Sequence, residues 1–165
     1  MMMRICARKV EISDKRIWMT MLIAVLLLLY ASTSALALKK RDLRRSNSGG
    51  RVNIDVVYLN PLKQSQNPDT NLVFELRMNT HSVNLDAYRI EDLAVLRNDL
   101  GEQVRPMEFA NPGGGGHHRS GMLKFPAQTP EGNRLIREDI KRIEVVIKNV
   151  AGVPERVFIW NLPIE

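Results

Sequence analysis

Three histidines hold most of the chemistry open to this chain. His117 and His118 are adjacent in NPGGGGHHRSG, Asn111 to Gly121, and His81 lies in NTHSVNLD. Imidazole suits copper, zinc and nickel, and thioether sulfur adds a preference for Cu(I). One reading is therefore a copper or zinc site built from His81, His117, His118 and Met122, with Met78 and Met107 as further sulfur donors. Adjacent side chains on an extended backbone point to opposite faces, so only one of His117 and His118 shares a side with Met122. No cysteine or carboxylate stands beside them at the spacing of a zinc motif. The plainer alternative places His81 on a turn, Met78 and Met107 in the core, and His117 and His118 at the rim of the fold.

Two catalytic readings fare worse. A phosphate-cradling loop needs Lys and Ser/Thr at the start of a following helix, whereas Gly113 to Gly116 lead into two histidines and a strand pattern. Four consecutive glycines read instead as a mobile hairpin tip, because ordering glycine costs the most backbone entropy. A hydrolase would use His81, Ser82 and Asp86 as base, nucleophile and orienter, but His81 and Ser82 are neighbours whose side chains diverge on extended chain. No cofactor fingerprint is present. The expectation is a non-enzymatic binding loop made of Thr80, His81, Ser82, Asp86, Gly115, Gly116, His117 and His118.

What must position that loop follows from charge and periodicity. The net charge of +6 suggests nucleic acid until its distribution is considered. Up to Arg45 ten Lys and Arg face three acids, whereas from Arg51 onward 14 basic residues face 15 acidic ones. A near-neutral domain has little to gain from counterion release, so no nucleic-acid partner is expected and the basic clusters read as targeting and membrane-surface features. Between them, Ile17 to Leu38 contains no charge over 22 residues. At about 1.5 Å per residue such a helix spans a bilayer core of roughly 30 Å. The same stretch has the basic, apolar and small-residue order of a signal peptide, ending in Ala35-Leu36-Ala37. Anchor and cleaved signal both stand, and because both flanks are basic the positive-inside rule does not select an orientation. The domain after it is expected outside the cytoplasm, on a single-pass anchor in the cell membrane or in the periplasm after cleavage near Ala37. Cys6 is the only cysteine, so that domain cannot use disulfides.

The organisation expected is a basic segment over 1–16, the anchor or signal over 17–38, a basic flexible linker over 39–50 including RRSNSGG, and a folded domain over 51–165. About 115 residues suffice for one core. Their pattern has period two: RVNIDVVY, NLVFELRMN, Leu93 to Arg97, HRSGMLKF, RIEVVIKN and ERVFIWNL each alternate apolar and polar positions. NDLG, Asn98 to Gly101, reads as a tight turn leading into EQVRPMEFA as hairpin partner, where Pro106 demands an edge or a bulge. Glu131 to Arg142 is the one helical candidate. Short strands at this spacing predict an all-β fold, an antiparallel immunoglobulin-like β-sandwich preceded by one N-terminal hydrophobic helix.

THSVNLDAY, AVLRNDLGEQVRP, GGGGHHRSGMLKF and the terminal RVFIWNL together resemble a functionally uncharacterised family of small exported bacterial proteins with Thr-His-Ser and Gly-Gly-His-His segments. The resemblance spans most of Arg51 to Leu162 and implies an extracytoplasmic sandwich, with no activity and no established site. The expected role is a binding or interaction module with an unknown protein partner, attached to or sent across the membrane through residues 17–38.

Overall fold

A computed structural model describes residues 38–62 and 70–164. The basic segment over 1–16, the hydrophobic N-terminal helix and all of the anchor-or-signal stretch except Leu38 lie outside the described residues. Among the described residues no helix is long and apolar enough to cross a membrane.

Among the described residues, nine antiparallel strands form two sheets, with almost no helix. Strands β1 (Arg44–Gly49), β2 (Val52–Tyr58), β3 (Asn71–Thr80), β7 (His118–Pro126) and β6 (Glu108–Gly115) pair in the order β1-β2-β3-β7-β6. The second sheet has the order β5-β4-β8-β9, from β5 (Gln103–Val104), β4 (Ala94–Asn98), β8 (Arg142–Val150) and β9 (Val153–Asn161). One helical turn, α1 (Ile90–Leu93), precedes β4.

The period-two pattern decides which faces meet. Ile54, Val56, Phe74, Leu76, Met78, Leu123 and Phe125 from the first sheet and Leu96, Ile143, Val145, Ile147, Phe158 and Trp160 from the second are all at most 1% exposed. At the centre, Phe74 stacks on Tyr58 at 4.9 Å and meets Phe125 edge-on at 5.7 Å. Across the sheets Trp160 packs 5.2 Å from Phe74. Such aromatic pairs contribute about 0.5–1.5 kcal/mol beyond the area they bury.

Four expectations need correction. The linker over 39–50 is not flexible chain: Leu43 is 1% exposed, and β1 pairs with β2 from Arg44 opposite Val57 to Gly49 opposite Val52. Its side chains add Ser48 Oγ donating to Asn53 Oδ1 at 2.7 Å and Arg45 Nε donating to the Ile159 carbonyl at 2.7 Å. Polar residues make a strand here because the edge of β2 supplies backbone partners and β9 supplies a carbonyl. EQVRPMEFA is not one strand. Pro106, which lacks an N–H, ends β5 after two residues, and the chain crosses to the other sheet as Met107 N donates to Lys124 O at 2.8 Å. Arg142 begins β8, and Glu131 to Lys141 forms turns and bends rather than a helix. It bridges the sheets, and its buried Leu135 and Ile140 stand five residues apart, off helical spacing, with Leu135 N bonded to Ala127 O at 2.9 Å. Lastly, the glycine run is no mobile tip, since Gly113 to Gly115 belong to β6 and pair with Ser120, Arg119 and His118.

The Asn98–Gly101 turn forms as read, with Asn98 Oδ1 accepting from Leu100 N at 3.1 Å and Glu102 N at 3.0 Å. A glycine that the periodicity does not explain lies on the inner face: a Cβ on Gly121 would stand 2.4 Å from the Phe109 ring. Arg119 covers that ring at 5.3 Å. Gly121→Ala is therefore expected to cost about 1–3 kcal/mol in urea unfolding, the usual range for overpacking. Adding Phe109→Leu should recover part of the loss, whereas an unchanged midpoint for Gly121→Ala would count against this packing.

Candidate functional site

The β1–β2, β6–β7 and β8–β9 turns and the chain that follows β3 share one end of the sandwich. The β6–β7 connection has two residues, Gly116 and His117, between the paired Gly115 and His118. Gly116 at its first position has φ 59, the requirement of a type II′ turn. Gly114 has φ 72, and a Cβ there would lie 2.1 Å from the His118 carbonyl oxygen. These two glycines answer to the backbone rather than to a phosphate.

The tip of this hairpin is tied to the last residue of β3 and to the segment after it by three bonds. Thr80 N donates to His117 O at 3.0 Å and Leu85 N to Gly116 O at 2.7 Å. Gly116 N in turn donates to Asp86 Oδ2 at 2.8 Å. Thr80 is 4% exposed, and its hydroxyl donates to Arg51 O at 2.7 Å while accepting from Ser82 N at 3.2 Å. Arg119, reaching inward, donates to Leu85 O at 3.0 Å and also to Tyr88 O. The two segments singled out in the sequence, Thr80 to Asp86 and Asn111 to Gly121, are thus brought together and held rigidly.

Roles within them differ from expectation. Thr80, Asp86, Gly115 and Gly116 build the scaffold. Asp86 is committed to Gly116, and among the described residues no hydrogen bond joins it to His81 or Ser82, so the hydrolase arrangement is not assembled. The four-member metal set is not assembled either. His117 contributes its carbonyl to the scaffold, and Met122 pairs opposite Glu75 whereas His118 pairs opposite Asn79. Four residues along one strand separate Met122 from His118 by about 13 Å. Met78 is fully buried in the core, and Met107 is exposed at the other sheet seam. Among the described residues no three His, Cys, Asp or Glu side chains gather as a metal would require.

His81 and His118 share a concavity. Both line an open depression of about 480 Å³ whose other walls include Ser48, Arg51, Asn53 and Asn79. His118 Nδ1 is 2.9 Å from Asn79 Oδ1. An amide oxygen only accepts, so this contact is a hydrogen bond when Nδ1 carries a proton. His118 and Asn79 also border a second depression of about 360 Å³ on the outer face of the first sheet, with Glu75, Arg77, Ser120 and Met122. It exists because β6 places only Ala110, Gly113 and Gly115 opposite Met122, Ser120 and His118. An edge strand almost without side chains leaves the middle strands uncovered.

Sequence reasoning missed Arg51, Asn53 and Asn79. The alternation marked Asn53 as outward, but nothing in the order of residues showed that it would line one depression with His118. In the second depression, partial burial works to raise the Glu75 pKa. The Lys40 and Arg77 cations outweigh that effect and hold the carboxyl below its usual range. Arg77 Nη2 is 2.7 Å from Glu75, and Lys40 is in contact with the other carboxylate oxygen.

No family model and no curated protein matches this chain. A solved structure is similar, the crystal structure of a DUF4426 family protein from Pseudomonas aeruginosa PAO1. It is 14% identical, the match covers 71% of this chain and 93% of that one, and the TM-score is 0.38.

Because the folded-state pKa of Glu75 lies below its unfolded value, its ion pairs contribute stability above the ordinary carboxylate range, and that stability is lost as pH falls through the lowered folded pKa. Glu75→Gln should therefore be less stable than the parent chain at pH 7 and should lose less on acidification. Parallel slopes of urea midpoint against pH for the two chains would remove Glu75 from this role.

Proposed function

We propose that this chain is a non-enzymatic, extracytoplasmic binding module of immunoglobulin-like type, delivered by residues 17–38 as a membrane anchor or as a signal removed near Ala37. Strand order supports the topology. The runs β2-β3-β7-β6 and β5-β4-β8-β9 follow the A-B-E-D and C′-C-F-G orders of immunoglobulin sheets, with β1 added outside the first. In that scheme the B–C, D–E and F–G loops share an end, which here holds Thr80 to Arg89, Gly116–His117 and Ala151–Gly152. Loops held by a rigid sandwich are where such folds carry recognition. The resemblance to small exported proteins with Thr-His-Ser and Gly-Gly-His-His segments points the same way.

The observation that carries the reading is His118. It is exposed, held by Asn79, and set between two depressions on a hairpin whose tip is clamped from below. A surface so pre-organised loses little conformational freedom when a partner binds. The partner is a protein, and the near-neutral domain gives no basis for nucleic acid. Photo-crosslinking residues placed at His81 and at Glu138, on the far end, in the full chain within membranes test the proposal. A discrete adduct from His81 and none from Glu138 is expected; equal labelling at both ends, or recovery of the uncleaved chain from cytosol free of lipid, overturns it.

A second reading, copper or zinc held by His81 and His118, is favoured by the orientation of His118. A metal-ligating imidazole donates its other ring N–H to a fixed oxygen, as a protonated Nδ1 does to Asn79. In calorimetric titration with Cu²⁺, His81→Ala and His118→Ala should each abolish the heat and His117→Ala should leave it intact. Heat that survives the first two substitutions rules this reading out.

A further inference from the structure

A larger concavity lies along the seam between the two sheets and shares no lining residue with either depression at His118. It measures about 730 Å³. Its cause is the early end of β5. Pro106 stops that strand after Gln103–Val104, so the second sheet has no edge partner beside Ala94 and Val95. The chain then crosses the seam through Arg105 and Met107 instead of filling it.

The chemistry of the walls is mixed in a specific way. Val104, Met107, Pro126 and Pro130 form an apolar floor, with Arg105 and Lys148 at its edges. Met107 is 56% exposed, so a ligand that covers it removes apolar surface from water. Neither Arg105 nor Lys148 has an ion pair among the described residues, whereas Lys40, Arg77, Arg97, Lys124, Arg137 and Arg142 each have a carboxylate partner. No acid is part of the lining, and Glu131, next to Pro130 in the chain, lies outside it.

An added peptide strand fits poorly here, because it would need backbone donors. Pro106, Pro126 and Pro130 have none, and the Ala94 N–H is already spent on Ile90 O. What remains is apolar contact along the floor and, at the rim, Arg105 and Lys148, neither of them in an ion pair among the described residues, with Lys148 opposite a Glu155 that pairs with Arg97 at 3.7 Å. The volume lies within the range of small-molecule sites. We propose that this seam binds a free anionic amphiphile, an apolar chain ending in a carboxylate, with the chain over Met107 and the carboxylate between Arg105 and Lys148.

Dodecanoate below its micelle concentration is the probe, added to the full chain carrying ¹³C-methyl methionine. The Met107 methyl resonance should shift saturably while that of buried Met78 stays still. Dodecanol should bind more weakly, and Arg105→Ala with Lys148→Ala should weaken dodecanoate by about tenfold or more, as for hydrogen bonds to a charged group, without changing dodecanol. Met107→Glu should remove binding, read from the resonances of ¹³C-labelled dodecanoate itself, with folding retained as judged by the unmoved Met78 signal. A static Met107 signal, equal affinity for acid and alcohol, or an acidic peptide that displaces dodecanoate and binds more tightly would each overturn the proposal.

Discussion

The indole of Trp160 is the point on which both sheets and the N-terminal edge depend. Its ring lies 5.2 Å from Phe74 and 6.2 Å from Tyr58 in the opposite sheet, and its Nε1 donates to Leu43 O at 2.8 Å. One side chain therefore both fills the core and satisfies a backbone carbonyl just before β1, as a buried indole N–H requires. Arg45 covers the outer side of the ring at 5.7 Å and bonds the neighbouring Ile159 carbonyl. Further along the same strand, Arg156 is 1% exposed and donates to Val150 O and Gly49 O at 2.8 and 2.7 Å. Burial disfavours its charge, so these bonds to carbonyls matter: they turn a costly buried cation into a clasp between the β1 and β8–β9 turns.

This seam has consequences at the opposite edge of β1. With β1 docked, Ser48, Gly49 and Arg51 become a wall of the depression that His81 and His118 share. Were residues 44–50 loose, the depression that His81 and His118 share would lose one wall. Packing of Trp160 in the core and shape at the candidate site are in this way one problem, connected through a strand whose own side chains are almost all polar.

The glycine-rich strand works by subtraction. Gly114 and Gly116 permit the backbone path, Gly121 admits the Phe109 ring, and Gly113 and Gly115 leave the outer face bare so that Glu75, Arg77 and Ser120 stay uncovered. The edge this creates is guarded. Asn111 at φ 47 and a bulge between Ala110 and Gly113 interrupt its pairing, and Pro112 removes a donor, all of which discourage addition of another strand.

Alternation at Val52 to Tyr58, Asn71 to Thr80, His118 to Pro126, Arg142 to Val150 and Val153 to Asn161 was legible because side chains on a strand change face at every residue, so a local pattern reports a local burial. The Asn98–Gly101 turn was legible for a similar reason, since its chemistry is complete within five residues. The sequence by itself determined the all-β fold of the described residues, its inward residues, and the two segments that meet around His118. Only the tertiary structure decided that Arg44–Gly49 is a strand, that Pro106 divides its run between sheets, and that His118 bonds Asn79 and shares one depression with His81 and another with Met122. Those outcomes rest on bonds between residues distant in the chain, 117 positions in the case of Trp160 and Leu43, and no periodicity within a single segment encodes a partner that far away.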